Sequence, residues 1–139
     1  MQVAVKDSIR ILVVDDMSSV RRLVVTFLHE IGYRHFKEAT NGTEAFALLH
    51  KEPFDLVITD WNMPGMTGLE MLQAIRKAPN LKHLPVLLIT AEARKENILA
   101  AARSGVSGYV VKPFTMITLG AKVEWILQAG QGGKEAQES

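Results

Sequence analysis

The sequence predicts an α/β domain built on a doubly wound, five-stranded parallel sheet. Short apolar runs alternate with amphipathic segments five times along the 139 residues, which is a (βα)5 pattern. The first run, Ile9–Val14, is apolar on both faces, as strands are when helices cover both sides of a sheet. Right-handed crossovers between parallel strands leave few topologies, and among these we expect the doubly wound one.

The composition fits one globular domain and excludes several classes of protein. Sixteen Lys and Arg against fifteen Asp and Glu give a net charge of +1, so we expect no binding to nucleic acid. The chain contains no cysteine, which excludes disulfides, cysteine-ligated zinc and thiol catalysis. No apolar run approaches the roughly 20 residues of a membrane span, and the N-terminal extension, residues 1–8, does not resemble a signal peptide. A cytoplasmic location without membrane contact fits these features.

The first strand and helix have the clearest pattern. Ile9–Val14 is a short run rich in β-branched residues and predicts a buried strand. The helix after it has one apolar face, formed at steps of three and four residues by Val20, Leu23, Val24, Phe27, Leu28 and Ile31. We expect Ser18 or Ser19 to cap this helix at its start, and Gly32 to end it.

The second and third units follow the same order. His35–Ala39 predicts a weaker strand, and Asn41-Gly42 predicts a turn before a helix over Thr43–His50. Phe54–Thr59 predicts a strong strand, and Leu69–Lys77 predicts the helix that follows it.

The last two units extend to residue 129. Leu84–Ile89 and Gly108–Val111 predict strands, and the segments Ala93–Ser104 and Thr115–Ala129 predict helices. In the first of these helices, the side chains expected near the sheet are those of Ala91, Ile98, Ala101 and Ala102. Residues 130–139 have no apolar anchor and are expected to form a disordered tail.

Polar residues follow four of the five predicted strands. Asp15 and Asp16 follow the first strand, Asp60 the third, Thr90 the fourth and Lys112 the fifth. Ligands of open α/β sheets bind outside the carboxyl ends of the strands. If the first and third strands are neighbours, their ends lie about 5 Å apart, so three carboxylates share one small space.

Such a cluster implies a particular chemistry. Three close carboxylates cannot all ionise unaided, so either one stays protonated or a divalent cation neutralises them. Oxygen ligands favour Mg²⁺ over zinc or copper. Lys112 adds a positive charge and Thr90 a hydroxyl donor, which together with a metal describe a phosphoryl site. The nucleophile would be an aspartate that forms an acyl phosphate.

Four stretches carry a resemblance to a known family. They are the residues at 11–16 (ILVVDD), 60–64 (DWNMP), 88–93 (LITAEA) and 108–114 (GYVVKPF). The chain resembles a response-regulator receiver domain, especially the single-domain members that act in chemotaxis. This resemblance implies a flavodoxin-like fold with strand order 2-1-3-4-5, and a receiver domain over residues 9–129.

The resemblance implies a role for each acidic residue. Asp60 would be the phosphoacceptor. Asp16 and Asp60 would ligate Mg²⁺ directly, together with the backbone carbonyl of Asn62, while Asp15 would act through a water molecule.

It also implies a switch. Lys112 would pair with the phosphoryl oxygens, and its bond to Pro113 would be cis. Thr90 would move to bond the phosphoryl group, and Tyr109 would turn inward behind it. The expected partner surface consists of Ala93, Lys95, Ile98, Tyr109, Lys122 and Trp125.

The implied partners are proteins. A CheA-like histidine kinase would donate the phosphoryl group, a FliM-like flagellar motor switch protein would receive the signal, and a phosphatase would end it. The chain would be a monomer that catalyses only its own phosphorylation and dephosphorylation, and is otherwise not an enzyme. Because no output domain is expected after residue 129, the output would be a protein–protein contact that controls flagellar rotation.

Three alternatives remain. A paralogue acting as a phosphate sink, or a receiver outside motor control, would have the same site. An aspartate-nucleophile phosphatase needs a general acid two residues after its nucleophile, where this chain has Asn62. A flavodoxin-like cofactor binder needs a phosphate loop after the first strand, where Asp15 and Asp16 would repel a phosphate.

Three positions depart from the family pattern. Thr67 stands where many receivers have Asp, and Trp125 stands where a basic residue is usual. Gly120 should cost the last helix about 1 kcal/mol relative to Ala. We expect Gly120 and Trp125 to alter the output face.

Overall fold

The computed structural model describes residues 6–138, with side chains for residues 6–129. Five parallel strands form one sheet in the order β2-β1-β3-β4-β5, which confirms the predicted fold class and the implied strand order. The strands are β1 (Arg10–Val14), β2 (His35–Ala39), β3 (Leu56–Asp60), β4 (Val86–Thr90) and β5 (Gly108–Val111). The helices are α1 (Ser18–Ile31), α2 (Gly42–Lys51), α3 (Gly68–Lys77), α4 (Lys95–Arg103) and α5 (Met116–Glu138).

Some expectations concern segments near the termini. Residues 6–8 form a helical turn before β1, and residues 1–5 of the extension lie outside the described residues. The sequence predicts a disordered tail over residues 130–139, whereas the structure continues α5 through residue 138. The side chains of residues 130–139 lie outside the described ones. Across residues 6–138, no helix combines the length and apolar character that crossing a bilayer requires.

The core has two layers, one on each face of the sheet. Along β1, Ile11 and Val13 pack toward α1 and α5, whereas Leu12 and Val14 pack toward α2 and α3. The three central strands are buried on both faces apart from the partly exposed first residue of β1, as their continuous apolar runs predict. This packing fixes the register that brings the strand ends together.

The start of α1 differs from the prediction. Its N-cap is Met17, which has no side-chain capping bond, and Ser18 and Ser19 lie inside the helix. The Met17 N–H instead donates to Asp15 Oδ1 at 2.9 Å, and this bond begins the helical turn ahead of both serines. Gly32 ends the helix as predicted, with its N–H donating to two carbonyls of the last turn. One residue of the predicted inner face, Leu23, is 42% exposed.

The start of α3 gives Thr67 a structural role. Thr67 Oγ1 accepts the Glu70 N–H at 3.1 Å, and Glu70 Oε1 accepts the Thr67 N–H at 2.9 Å. This is a capping box, which satisfies two backbone donors at the helix start. The helix therefore begins at Gly68, one residue before the predicted Leu69.

The packing of α4 also differs from the prediction. The helix begins at Lys95, two residues later than predicted, because Arg94 is its extended N-cap. Ala101 is buried and Ile98 is half-buried, but Ala91 and Ala102 are exposed, so their predicted contact with the sheet is wrong. Ala91 precedes the helix, and Ala102 directly follows the inward-facing Ala101, about 100° further round the helix.

The position of Gly120 corrects the expectation that it alters the output face. Gly120 is buried on the side of α5 that packs against α1. A Cβ atom at this position would overlap Cδ1 of Ile31. The glycine therefore lets two helices approach closely, and that packing offsets its low helix propensity.

Candidate functional site

Three carboxylates meet at the carboxyl edge of the sheet. One oxygen from each of Asp15, Asp16 and Asp60 lies within 4.8 Å of the other two. Asp15 directly follows β1 and Asp60 is the last residue of β3, so the pairing of these two strands brings the residues close together. The side chains of Asp15 and Asp60 are deeply buried, with residue exposures of 2% and 5%, whereas Asp16 is exposed. The cluster is thus a buried acidic pair with a third carboxylate at its mouth.

Lys112 lies against the buried pair. Its Nζ is 2.9 Å from Asp60 Oδ1 and 3.9 Å from Asp15 Oδ2. The Lys112 N–H donates to the carbonyl of Thr90 at 2.8 Å, which extends the β4–β5 pairing by one residue. The peptide bond to Pro113 is cis, as the resemblance implies. The side chain therefore reaches across β4 to the acidic pair.

The two carboxylate oxygens of Asp15 have different surroundings. Oδ1 accepts the Met17 N–H, whereas Oδ2 is buried and has no hydrogen-bond partner. Burial raises the pKa of Asp15, and the negative charges of Asp60 and Asp16 raise it further. The Met17 hydrogen bond and the Lys112 charge act in the opposite direction, but the net pKa shift is upward. A buried carboxylate oxygen without a partner is costly, so a ligand at this oxygen would stabilise it.

These residues fit a divalent cation that prefers oxygen ligands. Three ionised carboxylates and one ammonium give −3 + 1 = −2, a charge that one such ion neutralises. The unpartnered Oδ2 of Asp15 supplies a free ligand atom inside the pocket. Oxygen donors alone suit a hard cation rather than a soft metal. The donor set therefore fits the kind of metal that the sequence predicts.

Thr90 is buried at the end of β4, beside Lys112. Its Oγ1 donates to the Glu92 carbonyl at 2.8 Å and accepts the Glu92 N–H at 3.2 Å. The hydroxyl is thus engaged with the backbone of the following loop. To donate a hydrogen bond to a group on Asp60, the hydroxyl has to give up the bond that it donates to the Glu92 carbonyl.

Tyr109 is half-buried on β5 and packs with the core layer on the α2 and α3 side of the sheet. Lys122 Nζ lies 5.8 Å from the centre of the Tyr109 ring, which is a cation–π contact. Ala93 and Lys95 are exposed beside the start of α4, and Ile98 is half-buried. The expected partner surface is therefore accessible at each of these positions.

An apolar strip on α5 was not predicted as such. Ile117 is 79% exposed and Trp125 is 61% exposed, and with Ala121 they stand four residues apart on the outer side of the helix. Together with Thr118 and Lys122 they line an open groove of about 500 Å³. The spacing of four residues was the sequence signal that could have identified this strip.

Sequence reasoning also missed two groups that hold the site. Arg21 donates to the Asp15 carbonyl at 2.7 Å and to Glu38 Oε1 at 2.9 Å, a contact between distant segments with no local signal. The capping pair Thr67 and Glu70, by contrast, has a recognisable sequence spacing.

Comparison with known proteins gives a consistent result. The family model described as the response regulator receiver domain matches residues 11–124. The chain is 50% identical over 123 residues to the chemotaxis protein CheY of Pseudomonas aeruginosa, covering 88% of this chain and 99% of that protein. It is 48% identical over 128 residues to the chemotaxis protein CheY-3 of Vibrio cholerae, covering 92% and 98%. The solved structure of Vibrio cholerae CheY4 superposes with a TM-score of 0.79 at 36% identity, covering 85% of this chain and 98% of that chain.

Proposed function

This chain belongs to the response regulator receiver family, and from that premise we propose that it is a chemotaxis switch phosphorylated on Asp60. Receiver domains are phosphoacceptors rather than enzymes in the usual sense. The observation that carries the proposal is the contact between Lys112 Nζ and the buried Asp60 carboxylate, beside two further carboxylates. That arrangement combines a nucleophile with groups that stabilise a phosphoryl group.

The proposed reaction is transfer from a phosphohistidine of a CheA-like histidine kinase. An Asp60 oxygen attacks the phosphorus atom, a P–O bond forms, and the P–N bond breaks. The imidazole leaves with the electron pair of that bond and takes up a proton from solvent. Lys112, which pairs with Asp60 Oδ1 before the reaction, pairs with a phosphoryl oxygen after it.

The proposed metal is Mg²⁺, held by Asp16, Asp60 and the backbone carbonyl of Asn62, with Asp15 acting through a water molecule. When bound, Mg²⁺ would neutralise the carboxylates and the phosphoryl oxygens. The support from this chain is the close approach of the three carboxylates and the unpartnered Oδ2 of Asp15.

The proposed switch begins at Thr90. Phosphorylation adds roughly −1.5 to −2 charges at Asp60, and the Thr90 hydroxyl exchanges its bonds to Glu92 for a bond to the phosphoryl group. Tyr109 then turns inward and leaves its contact with Lys122. The free energy available from one charge pair is about 4 kcal/mol, less than the 5.5 kcal/mol or so of a complete population shift. Partner binding therefore completes the change.

The proposed target is an acidic, amphipathic segment of a FliM-like flagellar motor switch protein. It would bind the exposed surface formed by Ala93, Lys95, Ile98, Tyr109, Lys122 and Trp125. Lys95 and Lys122 supply positive charge, and Trp125 supplies the apolar anchor that protein interfaces favour. Two relatives are named as chemotaxis proteins, which favours this target.

The test of the phosphorylation step is incubation with acetyl phosphate and Mg²⁺, followed by measurement of the intact mass. We expect one added phosphoryl group that base and hydroxylamine remove. Asp60→Asn should prevent the addition, because an amide is a poor nucleophile. Labelling of Asp60→Asn at the wild-type rate would assign the phosphoryl group to another residue.

A further inference from the structure

We propose that Gly68 is a positioning residue for the phosphoacceptor segment, because its missing side chain lets the first turn of α3 rest on the backbone of Asp60 and Trp61. This inference rests on the function proposed above. It concerns how the nucleophile and the proposed Asn62 ligand are held at a fixed separation.

The contacts of Gly68 are with backbone atoms. A Cβ atom at Gly68 would overlap the carbonyl oxygen of Asp60 and would lie only 3.0 Å from the Trp61 Cα. In the existing structure the Gly68 N–H donates to the Trp61 carbonyl at 2.9 Å. Backbone atoms cannot rotate out of the way as a side-chain end can, so an added methyl group would displace the helix or the segment beneath it.

The segment beneath Gly68 carries the reactive groups. The Trp61 N–H donates to the Ile89 carbonyl at 2.8 Å, and the Trp61 carbonyl accepts from Gly68. Both peptide groups of Trp61 are therefore fixed, one by β4 and one by α3. Asp60, the nucleophile, precedes this fixed residue, and Asn62, the proposed carbonyl ligand, follows it.

The helix on the other side of this contact is also held in place. The capping box between Thr67 and Glu70 fixes its first turn. Its buried face packs Met71, Leu72 and Ile75 against the sheet. Because α3 is held in this way, its movement alone should not relieve an added methyl group at Gly68, and the Asp60–Asn62 segment should be displaced as well.

Gly65, in the loop before α3, is a glycine for a different reason. Gly65 has a φ of 75°, and a Cβ there would meet no heavy atom within 4 Å. Glycine is favoured at position 65 because of the positive φ, which Asn tolerates better than most other residues. Gly65→Asn is therefore a control in the same loop that adds atoms without entering the contact.

The test is a Mg²⁺ titration followed by Trp61 fluorescence in a Trp125→Phe background, with acetyl phosphate labelling measured in parallel. Gly68→Ala should weaken Mg²⁺ binding about 10- to 100-fold, as loss of a group that orients ligands commonly does. Gly65→Asn, which adds atoms in the loop before α3 without entering the Gly68 contact, should bind Mg²⁺ as the parent does.

The outcomes separate this inference from the proposed function. Parental Mg²⁺ binding in Gly68→Ala, or an equal loss in Gly65→Asn, would overturn the role of Gly68 and leave the proposed function standing. A parent protein that neither binds Mg²⁺ nor accepts a phosphoryl group would overturn both.

If Gly68→Ala does not fold, a measurement on the wild-type protein still tests the proposal. Mg²⁺ that fixes Asp60 and Asn62 should also strengthen the intervening bond from Gly68 to Trp61. Amide hydrogen exchange of Gly68 in the wild-type protein should therefore slow when Mg²⁺ is added. An exchange rate that Mg²⁺ leaves unchanged would contradict the proposal.

Discussion

Lys112 Nζ lies 2.9 Å from Asp60 Oδ1, although the two residues belong to the ends of β5 and β3, which are separated by β4 in the sheet. The contact therefore spans the site above the end of β4, where Thr90 lies. This places a positive charge on Asp60, the proposed phosphoacceptor, before any phosphoryl group arrives. It also links Asp60 to the end of the strand that carries Tyr109.

The first prediction concerns this link. Lys112→Met should retain Mg²⁺ binding, because the three carboxylates remain and a competing cation is lost. The phosphorylated variant should lack the change in Tyr109, since no ammonium connects the phosphoryl group to β5. NMR spectra of Tyr109 with and without acetyl phosphate measure this change, with Lys82→Met as a charge-matched control distant from the site. A Tyr109 response equal to that of the wild type would contradict the prediction.

The second prediction concerns pH. Burial raises the pKa of Asp15 above its ordinary value of 3.8, so the folded protein holds this proton at pH values where the unfolded chain has lost it. Without metal, the free energy of unfolding should therefore fall as pH rises from about 4 through the raised pKa of Asp15. Asp15→Asn removes this penalty, so it should stabilise the protein more at neutral pH than at low pH.

Urea denaturation in a chelator, over a range from about pH 4 to about pH 8, measures this effect. Glu96→Gln serves as the control, because that carboxylate is exposed and lies outside the acidic cluster. A stability difference between Asp15→Asn and the wild type that stays constant with pH would show that burial of Asp15 carries no such penalty.

The third prediction concerns the metal. A ligand that binds only the folded state raises its stability, so Mg²⁺ should raise the melting temperature of the wild-type protein. Asp16→Asn should lose most of this increase, because it removes one proposed ligand from an exposed position with little effect on packing. Differential scanning calorimetry measures the increase in melting temperature, and the increases that calcium and zinc cause are compared with that caused by Mg²⁺. Equal Mg²⁺ stabilisation of both proteins would remove Asp16 from the proposed ligand set.

Some elements of the fold and of the site were predictable from the sequence, and others were not. The central strands are continuous apolar runs followed by polar residues, so both the sheet and the edge that carries the acidic cluster were predictable. The position of Gly120 was not, because its contact with Ile31 joins residues far apart in the chain. Long-range packing of this kind leaves no local pattern.

The helix starts were less predictable for a different reason. Ser18 and Ser19 are good caps by residue type, but the Asp15 carboxylate takes the Met17 N–H and begins the turn earlier. In α4 only Ala101 is buried, so its apolar spacing contains little information on which face lies inward. Thr67 and Glu70, by contrast, have the spacing of a capping box, which is readable in the sequence.

The fourth prediction concerns the output surface. Trp125→Ala should weaken binding of the motor switch segment by about 2 kcal/mol or more, as the loss of a central aromatic anchor does. The fold should be little affected, because Trp125 is 61% exposed. Leu23→Ala is the matched control, since Leu23 is an exposed apolar residue on α1, away from this surface. Isothermal titration calorimetry on the phosphorylated proteins measures the affinity of both variants for the segment. Equal binding by Trp125→Ala and the wild type would show that the segment binds to another surface.

The most direct measurement of the central claim is the dissociation constant for a peptide from a flagellar motor switch protein, with and without acetyl phosphate and Mg²⁺. We predict that phosphorylation tightens binding about tenfold or more, a coupling free energy of about 1.4 kcal/mol, and that Asp60→Asn removes this difference. A phosphorylated protein that binds the peptide no better than the unphosphorylated one would contradict the claim. It would instead favour a phosphate sink, which accepts the phosphoryl group without signalling to the motor.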